Sequence, residues 1–205
     1  MYIKQVIRNK ENWGFYLLGI FIIIPIMMVI FQIPFTVALT SALFQLKDEE
    51  LLAQVANNDI NAMMSVLEPN LNLFLMLLGF GGMLLGVFIS AKLLHKNSIR
   101  ELTTSRDKID WSRVFYSFTI WGFITVPLIL IDTTFISPEN YQWNFNYNSF
   151  IILLAIVIVF IPIQTSAEEY LFRGYLMQGI GVVSGNRWLP LLFTSVAFGL
   201  MHYAN

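Results

Sequence analysis

Between Glu11 and Lys47 the chain runs for 35 residues without a charged side chain. About 20 apolar residues suffice to cross the hydrocarbon of a bilayer, so such a run constrains the fold more than any other feature. Composition agrees: 57% of the 205 residues are hydrophobic and 12% are charged, more apolar surface than a water-soluble domain of this size can hide. The chain reads as a membrane protein, an all-α polytopic helical bundle of five to six membrane helices. A net charge near −1 gives no ground for nucleic-acid binding. With no cysteine, disulfides, thiolate nucleophiles and thiolate metal sites are excluded.

The uncharged gaps set the spans. The first is expected over about Trp13 to Phe35, bent near Pro25, and either long, tilted or followed by an interfacial turn. The second covers about Leu71 to Ala91. There Gly82 and Gly86 are four apart, which is either a face for close helix approach or glycine merely tolerated in a membrane helix. A third span covers about Val114 to Ile131, a fourth runs from Ser149 to Ala167, and the last apolar stretch is Trp188 to Asn205. Nine of the twelve Lys and Arg fall in two alternate segments, Lys4 to Lys10 and Lys92 to Arg113. By the positive-inside rule both segments, and with them the N-terminus, are cytoplasmic. A cleaved signal peptide is not expected, because the first apolar run is too long and no small-residue cleavage site follows it.

Charges reappear inside apolar sequence at "SAEEYLFRGY", Ser166 to Tyr175. If this is helical, Glu169 and Arg173 are four apart on one face and can pair, whereas Glu168 is turned by about 100° from Glu169. Glu168 is then the carboxylate left for chemistry, a general base once water reaches it. The competing reading is that both acids decorate a helix start and Arg173 completes an ordinary ion pair. His202, in "FGLMH", is the other ionisable group in an apolar stretch. "SGNR", Ser184 to Arg187, is the expected turn, and Gly185 lies seventeen residues from Glu168 and seventeen from His202. At about 1.5 Å per residue an antiparallel hairpin returns His202 to the depth of Glu168, about 25 Å from the turn. A carboxylate and an imidazole at one level can activate water. His95, in the basic loop, reads as an ordinary interfacial residue.

"EEYLFR" fits Glu-Glu-x-x-x-Arg and "FGLMH" fits Phe-x-x-x-His, and in this order they resemble the CPBP (CAAX protease and bacteriocin-processing, or Abi) family of intramembrane proteases. The resemblance covers roughly residues 115 to 205. It divides the chain into accessory helices and a basic loop at 1–113 and a partial protease domain at 114–205. It implies that Glu168 activates water for attack on a peptide carbonyl, that His202 holds or polarises that water, and that Glu169, Arg173 and Phe198 support them. A divalent metal, zinc, held by Glu168 and His202 is one option the family leaves open; a metal-free glutamate mechanism is the other. Family members continue into a second histidine followed four residues later by Asn or Asp, so the 205 residues are expected to be a truncated member. The implied partners are the lipid bilayer and a peptide or membrane-protein substrate, and the implied location is a bacterial cytoplasmic membrane. A non-enzymatic immunity or scaffolding protein that keeps the fold is the alternative.

Overall fold

The computed structural model describes residues 12–203. The basic residues Lys4, Arg8 and Lys10, on which half of the orientation argument rests, lie outside the described residues. Among those described there are helices and no strands. Four helices are long and apolar enough to cross a membrane: α1 (Trp13–Gln45), α4 (Pro69–Leu94), α6 (Trp111–Ile136) and α7 (Tyr147–Ser184). Short helices α2 (Glu49–Ala56) and α3 (Ile60–Ser65) join α1 to α4, and α5 (Ile99–Thr103) lies between α4 and α6. The shorter apolar helix α8 (Trp188–Met201) ends the described chain.

Local chemistry marks most of these boundaries. Asp48 and Asp59 cap α2 and α3 by accepting from backbone N–H groups two and three residues on. Glu68 caps α4, whose first residue, Pro69, has no N–H to leave unsatisfied. Ser98 and Glu101 form a reciprocal capping box on α5. Asp110 and Asn146 begin α6 and α7. At the other end of α7, Gly185 takes a left-handed backbone with φ of 62°, which opens the turn into α8.

The first span departs from expectation. Instead of ending near Phe35, α1 continues through Pro25 and Pro34 to Gln45, 33 residues in all. A π segment at Gly19–Ile23 ends two residues before Pro25. A wider turn there suits a residue that cannot donate an N–H and whose ring crowds the carbonyl four residues back. At 1.5 Å per residue α1 is about 50 Å long, well beyond the roughly 30 Å hydrocarbon layer, so it tilts or projects.

α4 is the centre of the packing, with α1 antiparallel to it and α7 parallel. The Gly82 and Gly86 face is where α1 comes in: a Cβ on Gly86 would lie 2.8 Å from the Ile24 Cα, and one on Gly82 would lie 2.5 Å from the Met27 carbonyl oxygen. Between the close-approach reading of these glycines and the tolerated one, the packing selects the first. Along the α4–α7 seam, the Asn70 amide donates to the Ser149 carbonyl at 3.1 Å, Phe74 meets Phe160 edge to face at 5.1 Å, and Phe88 meets Tyr170 likewise. The buried core, including Tyr16, Ile24, Val87, Ala91, Leu102 and Tyr175, gathers where α1, α4, α5 and α7 meet. By contrast α6 buries none of its apolar window against the other described helices. Beyond α6 the Tyr141 hydroxyl donates to the Asp132 carboxylate at 2.6 Å, a bond that raises the phenol above its usual pKa.

Candidate active site

The motif does not sit at the start of a helix. α7 passes through Pro162 without a break, and the Thr165 hydroxyl donates back to the Ile161 carbonyl at 3.0 Å instead of capping free N–H groups. At 38 residues, about 57 Å, α7 outruns the bilayer, which carries its last turns toward the side expected to be cytoplasmic. Directly after Glu169 the helix widens into a seven-residue π segment, Tyr170–Leu176. Such bulges concentrate at functional sites because they re-aim neighbouring side chains.

The two acids are separated in role by their surroundings. Arg173 Nη1 contacts both oxygens of Glu169, at 2.6 and 2.7 Å, and its guanidinium carbon lies 5.6 Å from the Phe198 ring centre. Glu168 is the more enclosed acid, its side chain 18% exposed against 45% for Glu169. Its carboxylate faces α8, where Oε2 lies 3.7 Å from His202 Nε2. The turn at Gly185 and the equal helix lengths on either side return the imidazole to that level.

His202 is oriented from behind. Its Nδ1 lies 2.9 Å from the Phe198 carbonyl oxygen, which can only accept, so Nδ1 carries a proton, and in the neutral form of the ring Nε2 presents a lone pair toward Glu168. The Phe198 ring stacks on the imidazole at 4.4 Å and 30°, and Phe172 of α7 meets Phe198 edge to face at 5.4 Å. At 3.7 Å the carboxylate and Nε2 are too far apart for a direct hydrogen bond but close enough for one water to contact both. That water would give one O–H to each acceptor, leaving its oxygen lone pairs free for an electrophile.

The same two atoms are the candidate metal donors. Among the described residues no cluster of three or more His, Cys, Asp or Glu stands at metal-binding distance. A catalytic zinc usually takes three protein ligands, so Glu168 and His202 alone do not make such a site.

On the face of α7 turned away from His202 lies a cavity of about 460 Å³. Thr165, Ser166, Glu169, Tyr170 and Arg173 line it from α7, and Thr103 closes it through a 2.6 Å hydroxyl contact with Tyr170. The ion pair therefore borders an open groove and reaches Phe198 through Arg173. Both side chains of the pair are about half exposed, and exposed i,i+4 pairs contribute only about 0.3–0.5 kcal/mol. Glu169→Gln is accordingly expected to change unfolding stability by less than about 1 kcal/mol in a detergent-solubilised thermal melt.

Sequence reasoning missed His95. It is the C-terminal cap of α4, half-buried, with Nε2 3.0 Å from the Tyr175 hydroxyl and its ring 3.9 Å from that of Tyr16. Tyr175 is fully buried in the π segment, and Gly19 leaves room for its hydroxyl against α1. The cluster fastens the motif helix to α1 and α4. A histidine three residues after Lys92, directly before Lys96 and next to a run of polar residues carried no signal of burial.

Comparison with known proteins bears on the stretch that holds both motifs. A family model described as "Type II CAAX prenyl endopeptidase Rce1-like" matches residues 147–205. Residues 147–205 are therefore similar to Rce1-like endopeptidases, in agreement with the resemblance that the two motifs carry. The Rce1-like segment thus includes all of α7 and α8, with Glu168, Glu169, Arg173, Phe198 and His202 inside it. The chain is also 36% identical over 121 residues to "Uncharacterized protein YyaK" of Bacillus subtilis (strain 168), an alignment covering 58% of this chain and 40% of that protein. The chain therefore spans about 40% of the length of the curated relative it matches. No solved structure matches it.

Proposed function

We propose that this chain is an intramembrane endopeptidase that hydrolyses a peptide bond near the cytoplasmic face, with Glu168 as the general base and His202 as its partner. The observation that carries this reading is the 3.7 Å approach of Glu168 to His202 across the α7–α8 hairpin, within the Rce1-like segment. Four candidate membrane helices and the family match support a multi-pass membrane protein acting on a peptide or membrane-protein substrate.

Water held between Glu168 Oε2 and His202 Nε2 gives a proton to Glu168 as its oxygen bonds to the carbonyl carbon. The carbonyl π electrons move to the oxygen, forming a tetrahedral oxyanion. When the C–N bond breaks, Glu168 returns the proton to the leaving nitrogen, and an acid and an amine are released. Phe198 keeps the imidazole in the required tautomer through its carbonyl and in position through its ring. Glu169 and Arg173 hold the helix face and the Phe198 ring in register.

The steps above are written through these side chains and need no metal. Cleavage of a fluorogenic membrane-anchored peptide by protein reconstituted in vesicles is expected to change less than about twofold on adding 1,10-phenanthroline. Loss of activity restored by zinc would replace this mechanism with a metal-dependent one, and no cleavage of any peptide would remove the proteolytic reading.

A further inference from the structure

At the C-terminal end of α4 the structure carries a second cavity, of about 450 Å³, that the proposed chemistry does not use. Phe88, Ala91 and Ile99 form its walls, while Lys92, Lys96 and Asn97 stand around it. The lysines are four residues apart where a membrane helix leaves the bilayer, so both ammonium groups belong to the interfacial layer. The three arginines of this loop are ion-paired: Arg106 and Arg113 share Asp110 at 2.9 and 3.0 Å, and Arg100 reaches Asp107 at 3.7 Å. Among the described residues neither Lys92 nor Lys96 has an ion-pair partner.

The backbone makes the arrangement more specific. Lys96 has φ of 56°, the left-handed region in which glycine is the usual residue just past a helix end. The Asn97 N–H returns to the Ala91 carbonyl at 3.0 Å, closing the cap around that conformation. A lysine is thus held where glycine would fit better, beside a second unneutralised lysine and over an apolar wall. Folding alone does not account for that choice.

We propose that this pocket binds one anionic phospholipid, its phosphate between Lys92 and Lys96 and the start of an acyl chain against Phe88 and Ile99. Charge complementarity selects the headgroup, and the apolar wall below the lysines selects a lipid over a free anion. Phe88 also packs on Tyr170 of the motif helix, so the lipid would buttress α7 from the side away from the hairpin.

The test uses the full chain purified in neutral detergent, titrated with phosphatidylglycerol, phosphatidylcholine or glycerol 1-phosphate and followed by native mass spectrometry and thermal unfolding. One phosphatidylglycerol should be retained and should raise the melting temperature, with phosphatidylcholine and glycerol phosphate far weaker. Lys92→Gln and Lys96→Gly should each weaken it about fivefold, the attraction of one basic side chain to an anionic lipid surface. Lys96→Gly without lipid should melt at the same temperature or higher, which separates lost binding from lost folding. Lys108→Gln, a loop lysine outside the pocket, should leave binding unchanged. Equal retention of phosphatidylglycerol and phosphatidylcholine would overturn the proposal, as would a Lys108→Gln effect equal to that of Lys92→Gln. Glycerol phosphate binding as tightly as the lipid would overturn it too, by making the site one for phosphate alone.

Discussion

Glu168→Gln should lower the rate of peptide hydrolysis by roughly 10²–10⁴-fold, the range a positioned general base contributes. The substitution keeps the size and hydrogen-bonding reach of the side chain but removes its capacity to take a proton from water. Glu168 has no arginine of its own, since Arg173 is committed to Glu169, so no arginine pair is broken and the fold should hold. Unfolding temperature in detergent should therefore move little while the cleavage rate collapses. Glu169→Gln separates the two carboxylates. If Glu168 is the base, loss of the Glu169–Arg173 pair should cost much less rate, through the position of Phe198 alone. Equal losses from the two variants would make the acids one unit and refute the division between them.

The second large effect is on stability, at the α1–α4 contact. Gly82→Leu should destabilise the bundle by about 1–3 kcal/mol or more, the cost of overpacking a tight interior. A Cβ at Gly82 would meet the Met27 carbonyl oxygen at 2.5 Å and the Phe31 Cβ at 2.8 Å, and backbone cannot turn aside as a side-chain tip can. Gly81→Leu, one residue away, serves as the control: its Cβ would meet only the Phe31 ring, at 3.8 Å, an ordinary contact. Thermal melts of the two variants should differ clearly. If both melt alike, the close approach of α1 at Gly82 is not what holds α4.

Periodicity and spacing exposed much of this architecture because its physics is one-dimensional. Uncharged length located the four long helices, and the equal arms around Gly185 put Glu168 and His202 at one depth, where the separation is 3.7 Å. What sequence did not reveal depends on contacts between helices. The first span is expected to end near Phe35, yet α1 runs on through Pro34 to Gln45, since a membrane helix that loses a backbone hydrogen bond has no water to which it can turn. The π segment at Tyr170–Leu176 has no sequence signature, and neither does the entry of its Tyr175 into the gap left by Gly19 on α1. His95 looked interfacial from its basic neighbours and is instead stacked on Tyr16. The bareness of α6 was equally hidden: an apolar helix reads the same whether its neighbours are helices or lipid.

The central claim is that Glu168 and His202 act on the same water, and a double-mutant cycle tests it most directly. Cleavage rates would be measured for the wild type, Glu168→Gln, His202→Gln and the double variant, reconstituted in the same vesicles. Groups that work as a unit are strongly non-additive, so the double variant should be about as slow as the slower single one. Multiplicative losses would mean that the two groups contribute independently, and wild-type rates in either single variant would contradict the account outright.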